Sequence, residues 1–487
     1  MPRPALHVPT RRQVLLGGVA GAAASVLTTP SATAATQRAA QPVARTTPAM
    51  ARGAVPYAVD AARVRGWAAD TWHSLVRMTD EKTGLAADNI PESLAAADRS
   101  GYTSPTNIGG LLWCTVAARD LGLVDADEAR DRLARLLTTL AGMEVHDETG
   151  MYFNWYDDRS GALVRQLPDS GHEIQPFLSS VDNGWLAAGL MVAAAAEPTL
   201  AAPAHAVLDR MAFGAFHDAE AGADGPGGRL TGGFWVDDPG QPTRRAAFVP
   251  GHAEVLHTTH HYDLLDSEPR IASYVGIAHG QIPPEHYASL ETPLRHYRGR
   301  DVVPTFGGSM FEALMPTIFV PEATWAPDTW GVNEARTVAL QREYALDEKG
   351  YGYWGFSPSA CPGEGYSVFG VPPIAWEADG YPSERDGEVV VTPHASAMAL
   401  MVEPGAATDN LVRIERDLGA YGPGGFIDAV DTRTGRHAGR HLSLDQSMVL
   451  GALANVLADD CLRRWFCTPE VEAVLRPVVA ARRMPLT

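Results

Sequence analysis

The chain reads as all-α, and within that class as an (α/α)6 toroid with short strands in the loops at its pocket face. Helical patterns recur roughly twelve times, in loose pairs about every 50–60 residues. No sequence motif repeats with them, which argues against an α-solenoid. The intervening loops are long and rich in Gly, Pro and aromatic residues, and only Ala219–Gly228 has the composition of a linker. A chain of 487 residues is long enough for several domains. Without a break in it, one large helical domain is the expectation.

Residues 1–35 read as an export signal. Thr10-Arg11-Arg12-Gln13-Val14-Leu15-Leu16 is a twin-arginine motif, an apolar run continues to Val26, and Ala32-Thr33-Ala34 offers a small-residue cleavage site. That run is too short to span a bilayer, and nothing later reaches the roughly 20 apolar residues a span needs. The expected protein is secreted, exported already folded by the twin-arginine route. Residues 36–56 are rich in Ala, Pro, Thr and Gln without periodicity and read as a disordered spacer. Residues 57–487 make the single folded domain.

Within it, Tyr57–Met78 is amphipathic, and Pro105–Leu121 with Ala126–Leu140 forms a helical pair turning at Gly122. Asp147–Gly161 is aromatic-rich and ends in a turn, as a strand entering a tight loop does. Val181–Ala196 and Ala204–Phe213 are the next helical pair, and Gly232–Val236 reads as a strand. Further helices are expected at Glu285–Arg298, Ser309–Phe319, Asn333–Tyr344, His394–Met401, Ala406–Leu418, Leu444–Leu457 and Pro469–Ala480.

The formal charge is −19, and loss of a signal with three arginines and no acid makes it more negative still. Nucleic acid and polyanionic substrates need basic grooves, so a neutral substrate fits better. Eleven Trp and fourteen Tyr, many in loops, suit sugar rings, although ordinary core packing uses the same residues. Cys114 falls in an apolar helix and reads as core. Cys461 and Cys467 are near enough in sequence to pair, but four cysteines allow three connectivities. No Cys/His spacing suggests zinc, and no cofactor is expected. A monomer is the expected state.

The most informative stretch is His260–Gly280, where Asp263, Asp266 and Glu268 stand beside two histidines and Tyr262 just before a short apolar helix. Pro269 suits the first turn of that helix and biases Glu268 away from helical dihedrals. Such a cluster is commonly a capping arrangement. It also sets a carboxyl group at a helix mouth, where it can act as a catalytic acid.

Several segments resemble the glycoamylase-like domain family. They are Thr103-Ser104-Pro105-Thr106-Asn107-Ile108-Gly109, Asn154-Trp155-Tyr156-Asp157, Ser179-Ser180-Val181-Asp182-Asn183-Gly184 and Tyr262-Asp263-Leu264-Leu265-Asp266-Ser267-Glu268. Gly308-Ser309-Met310-Phe311-Glu312, Tyr353-Trp354-Gly355-Phe356-Ser357 and Val391-Thr392-Pro393-His394-Ala395-Ser396 are similar too. The likeness runs from about residue 60 to 475. The family includes bacterial endo-β-1,2-glucanases (glycoside hydrolase family 144 and relatives) and the transglycosylase part of cyclic β-1,2-glucan synthases. The resemblance implies an (α/α)6 fold acting on a neutral glucan.

Glycoside hydrolysis needs an acid to protonate the leaving oxygen and a carboxylate, direct or through a relay, to activate water. Glu268 matches the family's proposed acid position. Asp445, in His441-Leu442-Ser443-Leu444-Asp445-Gln446, matches the region of the hydrolytic members' base, where the synthases carry a histidine pair. That favours hydrolysis, expected to be inverting, over transglycosylation. Asp445 can equally cap the helix after it, and Asp182 either caps its apolar helix or joins the catalytic carboxylates. Glu312 faces a pocket or a buried Arg, and His394 is a structural histidine or a sugar ligand. Trp155, Tyr156, Trp354 and Tyr366 are candidate sugar platforms, with Tyr262 beside the acid. Asn107 and Asn154 offer amides for sugar hydroxyls, or act as turn formers. A non-catalytic glycan-binding protein and a polysaccharide lyase are the alternatives from other classes. The lyase is disfavoured by the negative charge.

Overall fold

The computed structural model describes residues 60–487 except 169–170, 223–226, 250 and 364. The expected signal and spacer lie outside the described residues. The fold is mostly helical. In chain order the helices are α1 Ala61–Met78, α2 Pro105–Asp120, α3 Ala126–Gly142, α4 Ser180–Ala196, α5 Ala201–Leu208, α6 Arg270–Ala278, α7 Glu285–Ser289 and α8 Met310–Leu314. They continue as α9 Glu322–Trp325, α10 Val332–Glu343, α11 Pro393–Ala399, α12 Pro404–Asp417, α13 Ser443–Leu457, α14 Cys461–Phe466 and α15 Pro469–Ala481.

Two sets of helices are distinguished by what their faces bury. α2, α4 and α13 are apolar nearly all round and buried on almost every side, as helices inside a large domain are. α2 packs on α4, α4 on α6, α8 on α11, α11 on α13, and α13 returns to α2. The gap between α6 and α8 is closed by Arg270, which donates to the carbonyls of Glu312 (2.9 Å) and Ala313 (2.6 Å). The second set covers the first with one face each. α1 lies on α13, α3 on α2, α5 on α4, α10 on α8, and α12 on α11. In α3 the buried stripe is Leu133, Leu136, Leu137 and Leu140, spaced as one face of a helix requires.

α2 and α4 meet backbone to backbone. A Cβ at Gly109 would stand 2.4 Å from the Trp185 carbonyl oxygen, and one at Gly189 would stand 2.5 Å from the Gly109 oxygen. No larger residue fits either place, so the two glycines fix the height of one helix against the other.

The mouths of three of these helices are built alike. Ser104, Ser179 and Ser309 precede α2, α4 and α8, and their hydroxyls accept the amide N–H of Asn107 (3.3 Å), Asp182 (3.1 Å) and Glu312 (3.4 Å). A serine cap thus satisfies an open donor of each first turn and leaves the third residue's side chain at the helix mouth.

Short strands occupy the loops. Phe177–Ser179, Gly233–Trp235, Val255–Thr258 and Thr243–Ala246 make a four-stranded antiparallel sheet in that spatial order, with Leu178 opposite Phe234 and Phe234 opposite His257. His261–Tyr262 pairs with Arg229–Thr231, which pairs with His217–Asp218. The expected strand at 232–236 is present, but as an interior strand of a sheet.

Three expected helices are cut short, and the first, Ala204–Phe213, is helical only to Leu208. Glu285–Arg298 is helical only to Ser289, because Pro293 has no N–H to continue the ladder. A hairpin takes over, Arg295–Tyr297 with Arg300–Val302. Arg298 (φ 51°) and Gly299 (φ 76°) form its two-residue turn, and two positive φ values in sequence match the twist of the strands. Ser309–Phe319 ends as an α-helix at Leu314, before Pro316. Cys114 is buried in α2 as expected, and Cys461 and Cys467, at either end of α14, are both free thiols.

Candidate active site

Six candidate residues each stand at the start of a different helix of the first set. They are Asn107 (α2), Asp182 (α4), Glu268 (just before α6), Glu312 (α8), His394 (α11) and Asp445 (α13). Capping does not account for the acids. Pro269 precedes α6 with no side-chain cap, Ser179 caps α4, and no side chain caps α13. Asp182 and Asp445 sit inside the first turn, where the helix dipole favours negative charge.

A cleft with about 930 Å³ of empty space, its open mouth included, collects Asp182, Glu268, Glu312, Asn154, Tyr262 and Tyr366. Phe177, His260, Phe306, Phe311 and Tyr381 also line it. Glu268 is half-buried between buried Ser267 and Pro269. Its Oε1 accepts the indole N–H of Trp185 at 2.7 Å, which fixes that oxygen. Asp182 accepts from Thr106 Oγ1 (2.6 Å) and from the Asn154 amide (3.0 Å). The Tyr262 hydroxyl is driven far above its ordinary pKa by burial and then by the charges of Glu268 and Asp182, so both carboxylates surround it. Tyr381 is likewise pushed up by burial and then by the charges of Glu312, Glu377 and Glu268. Asp266 faces backward, to Arg270 (3.3 Å) and Asn333 (2.9 Å), and burial pushes it up to about 8.

Glu312 is both a wall of the cleft and a brace. One oxygen, Oε2, accepts from Ser309 Oγ (2.6 Å), Thr305 Oγ1 (3.0 Å) and the Gly307 N–H (3.0 Å). Burial raises its pKa. The buried Arg in its neighbourhood is Arg270, which takes its carbonyl and not its carboxylate. Arg270 also donates to Glu322 (2.8 and 3.0 Å) and lies 4.7 Å from the centre of the Trp330 ring. It ties the loop that carries Glu268 to α8.

Asp445, His394 and Asn107 do not line that cleft. Asp445 is 2% exposed, with Oδ2 3.7 Å from His394 Nδ1. Asp428 joins them, and the three side chains bring polar atoms within 4.8 Å of one another. Burial drives His394 down to about 3, so its ring is neutral, and neither ring nitrogen has a hydrogen-bond partner. Asn107 donates to Asp88 Oδ1 (3.0 Å), which belongs to the same group.

Three aromatic platforms are corrected. Tyr156 is fully buried, its hydroxyl donating to the Glu144 carbonyl (2.6 Å) and accepting from Phe153 N–H (2.8 Å). Trp354 is buried in the main core, with its backbone held by Asn410. Trp155 packs edge-on to Tyr102 in a small cluster with Val164, Leu167 and Ile174. Loops in this domain lie under other loops, so their rings are covered. The sequence missed Trp185, which stands one helical turn after Asp182, and Tyr381 and Asp428, which come from irregular segments.

Comparison with known proteins finds relatives in sequence and in fold. The family described as "Glycoamylase: Putative glucoamylase" matches residues 260–468, and "Protein of unknown function (DUF3131)" matches residues 66–220. The cyclic beta-(1,2)-glucan synthase NdvB of Rhizobium meliloti is 32% identical over 244 residues, which is 46% of this chain and 8% of that protein. Among solved structures, the endo-β-1,2-glucanase of Chitinophaga pinensis, in complex with sophorotriose and glucose, aligns with a TM-score of 0.65 at 15% identity. It covers 86% of this chain and 98% of that one. The endo-β-1,2-glucanase of Talaromyces funiculosus with β-1,2-glucan aligns at 0.66 and 13% identity, covering 88% and 90%. The chain therefore resembles the glycoamylase-like family in sequence and shares the fold of the endo-β-1,2-glucanases.

Proposed function

We propose that the protein is a secreted, inverting glycoside hydrolase that cleaves β-1,2-glucan or a related neutral glucan. The ring of packing from α2 round to α13 is read as the inner layer of an (α/α)6 toroid, with its site at the helix mouths. Glu268 protonates the leaving oxygen while Trp185 holds its Oε1. Asp445 takes the proton of the attacking water, through a relay because it does not line the cleft. Inverting enzymes separate the two carboxyls by roughly 6.5–9.5 Å to admit that water. Asp182, Asn154, Tyr262 and Glu312 bind sugar hydroxyls, and Tyr366, Phe306 and Phe311 offer apolar faces to the rings.

The observation that carries this reading is a half-buried glutamate in a carboxylate- and aromatic-lined cleft, oriented by an indole donor. The likeness to a β-1,2-glucan synthase and to two β-1,2-glucanases supports the choice of linkage. The test is incubation of the purified protein with a panel of neutral glucans, products followed by chromatography and their anomeric form by polarimetry. Sophoro-oligosaccharides released first as the α-anomer from β-1,2-glucan are expected. Products from another glucan alone would discard the substrate, and binding without product would favour a glycan-binding protein.

A further inference from the structure

We propose that Tyr381 is a substrate-contacting residue whose hydroxyl donates to a sugar of the bound glucan beside Glu312, both side chains being set in place by Gly307. The inference rests on the reading of the cleft as a glucan site and adds a contact to it. Tyr381 comes from an irregular segment, yet its ring has a built seat. It packs with Leu264 and Phe306, and Tyr262 and Val368 lie against the same cluster. Along the ring runs the backbone of Gly307, where a Cβ would stand 2.0 Å from Tyr381 Cδ1 and 2.5 Å from Cε1. Gly370 completes the seat, since a Cβ there would stand 1.9 Å from the Gly307 oxygen and 3.4 Å from Tyr381 Cβ. Neither glycine has a positive φ, so what they supply is room for a close approach.

The same Gly307 donates its N–H to Glu312 Oε2 at 3.0 Å. One residue therefore places both the ring and the carboxylate, and both line the cleft. Tyr381 is only 7% exposed, and its hydroxyl has no hydrogen-bond partner among the described residues. A tyrosine hydroxyl covered this far ordinarily finds one. Burial and the neighbouring carboxylates keep its proton on, so it is a donor at any working pH. Donors are what this cleft is short of: among the described residues it is lined by Asp182, Glu268 and Glu312 but by no Lys or Arg. A sugar hydroxyl both donates and accepts, so a ring bound here can give a hydrogen bond to Glu312 and take one from Tyr381.

Two variants of the full-length protein test this, alone and combined. Tyr381→Phe keeps the ring in its seat and removes only the hydroxyl. On β-1,2-glucan its KM is expected to rise about 3- to 10-fold, the range of one hydrogen bond, with kcat lowered by less than about threefold. Its Tm should stay within about 2 °C of wild type, because no buried contact of the ring is lost. Gly307→Ala puts a methyl group where the ring lies and should raise KM by about tenfold or more. In the double variant, Tyr381→Phe should add less than about twofold to KM, since the hydroxyl is already displaced. A readout independent of turnover is calorimetric binding of sophorotriose, expected to be about 3- to 10-fold weaker in Tyr381→Phe than in wild type.

An unchanged KM and unchanged sophorotriose affinity in Tyr381→Phe would overturn the proposal, and so would a lowered Tm with neither of them moved. Equal costs of Tyr381→Phe in the wild-type and Gly307→Ala backgrounds would remove Gly307 from the seating of the hydroxyl. If wild type cleaves no glucan yet binds sophorotriose more tightly than Tyr381→Phe does, the hydrolase reading fails and this contact stands. Wild type that neither cleaves β-1,2-glucan nor binds sophorotriose would overturn both.

Discussion

The two halves of the site solve opposite problems. On the Glu268 side the polar groups are densely partnered and face an open cleft: Trp185 on Glu268, Thr106 and Asn154 on Asp182, three donors on one oxygen of Glu312. On the Asp445 side the groups are closed off, and the His394 ring carries two nitrogens without hydrogen bonds. Partnering fixes geometry and makes pKa values predictable. Closure removes water and lets neighbours act strongly on each other. An acid that must meet substrate needs the first, and a base that must be kept apart from bulk water needs the second.

The sharpest way to break that contrast is Glu268→Gln. If this side supplies the proton, kcat falls about 10³- to 10⁴-fold with KM nearly unchanged, as steady-state kinetics on a good substrate will show. An undiminished kcat would remove Glu268 from the chemistry.

Next in size is the support behind the acid. Arg270→Met leaves Asp266 and Glu322 buried without their cation, and unfolding in urea should show a loss of about 3–5 kcal/mol. A loss under about 1 kcal/mol would mean that the charges are not held by Arg270. Asp445→Asn is expected to cost about 10²- to 10³-fold in kcat, since a relay replaces direct contact.

A smaller effect sharpens the partnered side. Trp185→Phe removes the donor on Glu268, so its carboxyl pKa rises and the alkaline limb of kcat moves upward, with kcat reduced about three- to tenfold. The smallest effect concerns closure. His394 has a folded pKa of about 3, below its unfolded value near 6.5. It therefore contributes stability that is whole above about pH 6.5 and is lost as pH falls toward 3. His394→Gln should flatten the fall of Tm between pH 7 and pH 4, though only partly, because His257, His260, His286 and His441 titrate in the same direction.

The difference between the halves also explains what the sequence revealed. Asn107, Asp182 and Glu312 were legible as site candidates, but their serine caps were not: Asp182 stood as a possible cap of its own helix, where Ser179 takes that place. Long helices were legible from apolar period. Trp155, Tyr156 and Trp354 were misread because a ring in a loop of a large domain is covered by other loops, which no local pattern records. The hairpin at 295–302 announces itself in Pro293 and Arg298-Gly299, yet its apolar spacing imitates a helix. Asp428 and Tyr381 have no local signal at all, and only the fold brings them to Asp445 and to the cleft.

The six helix mouths have a consequence for how such a protein changes over generations. Each of the six candidate residues hangs from its own helix, rooted in a separate stretch of the chain. A replacement at one mouth alters one contact and leaves the other five backbones where they were. Specificity can therefore drift by single steps, each tested by selection on its own, while the cost of a failed step stays local.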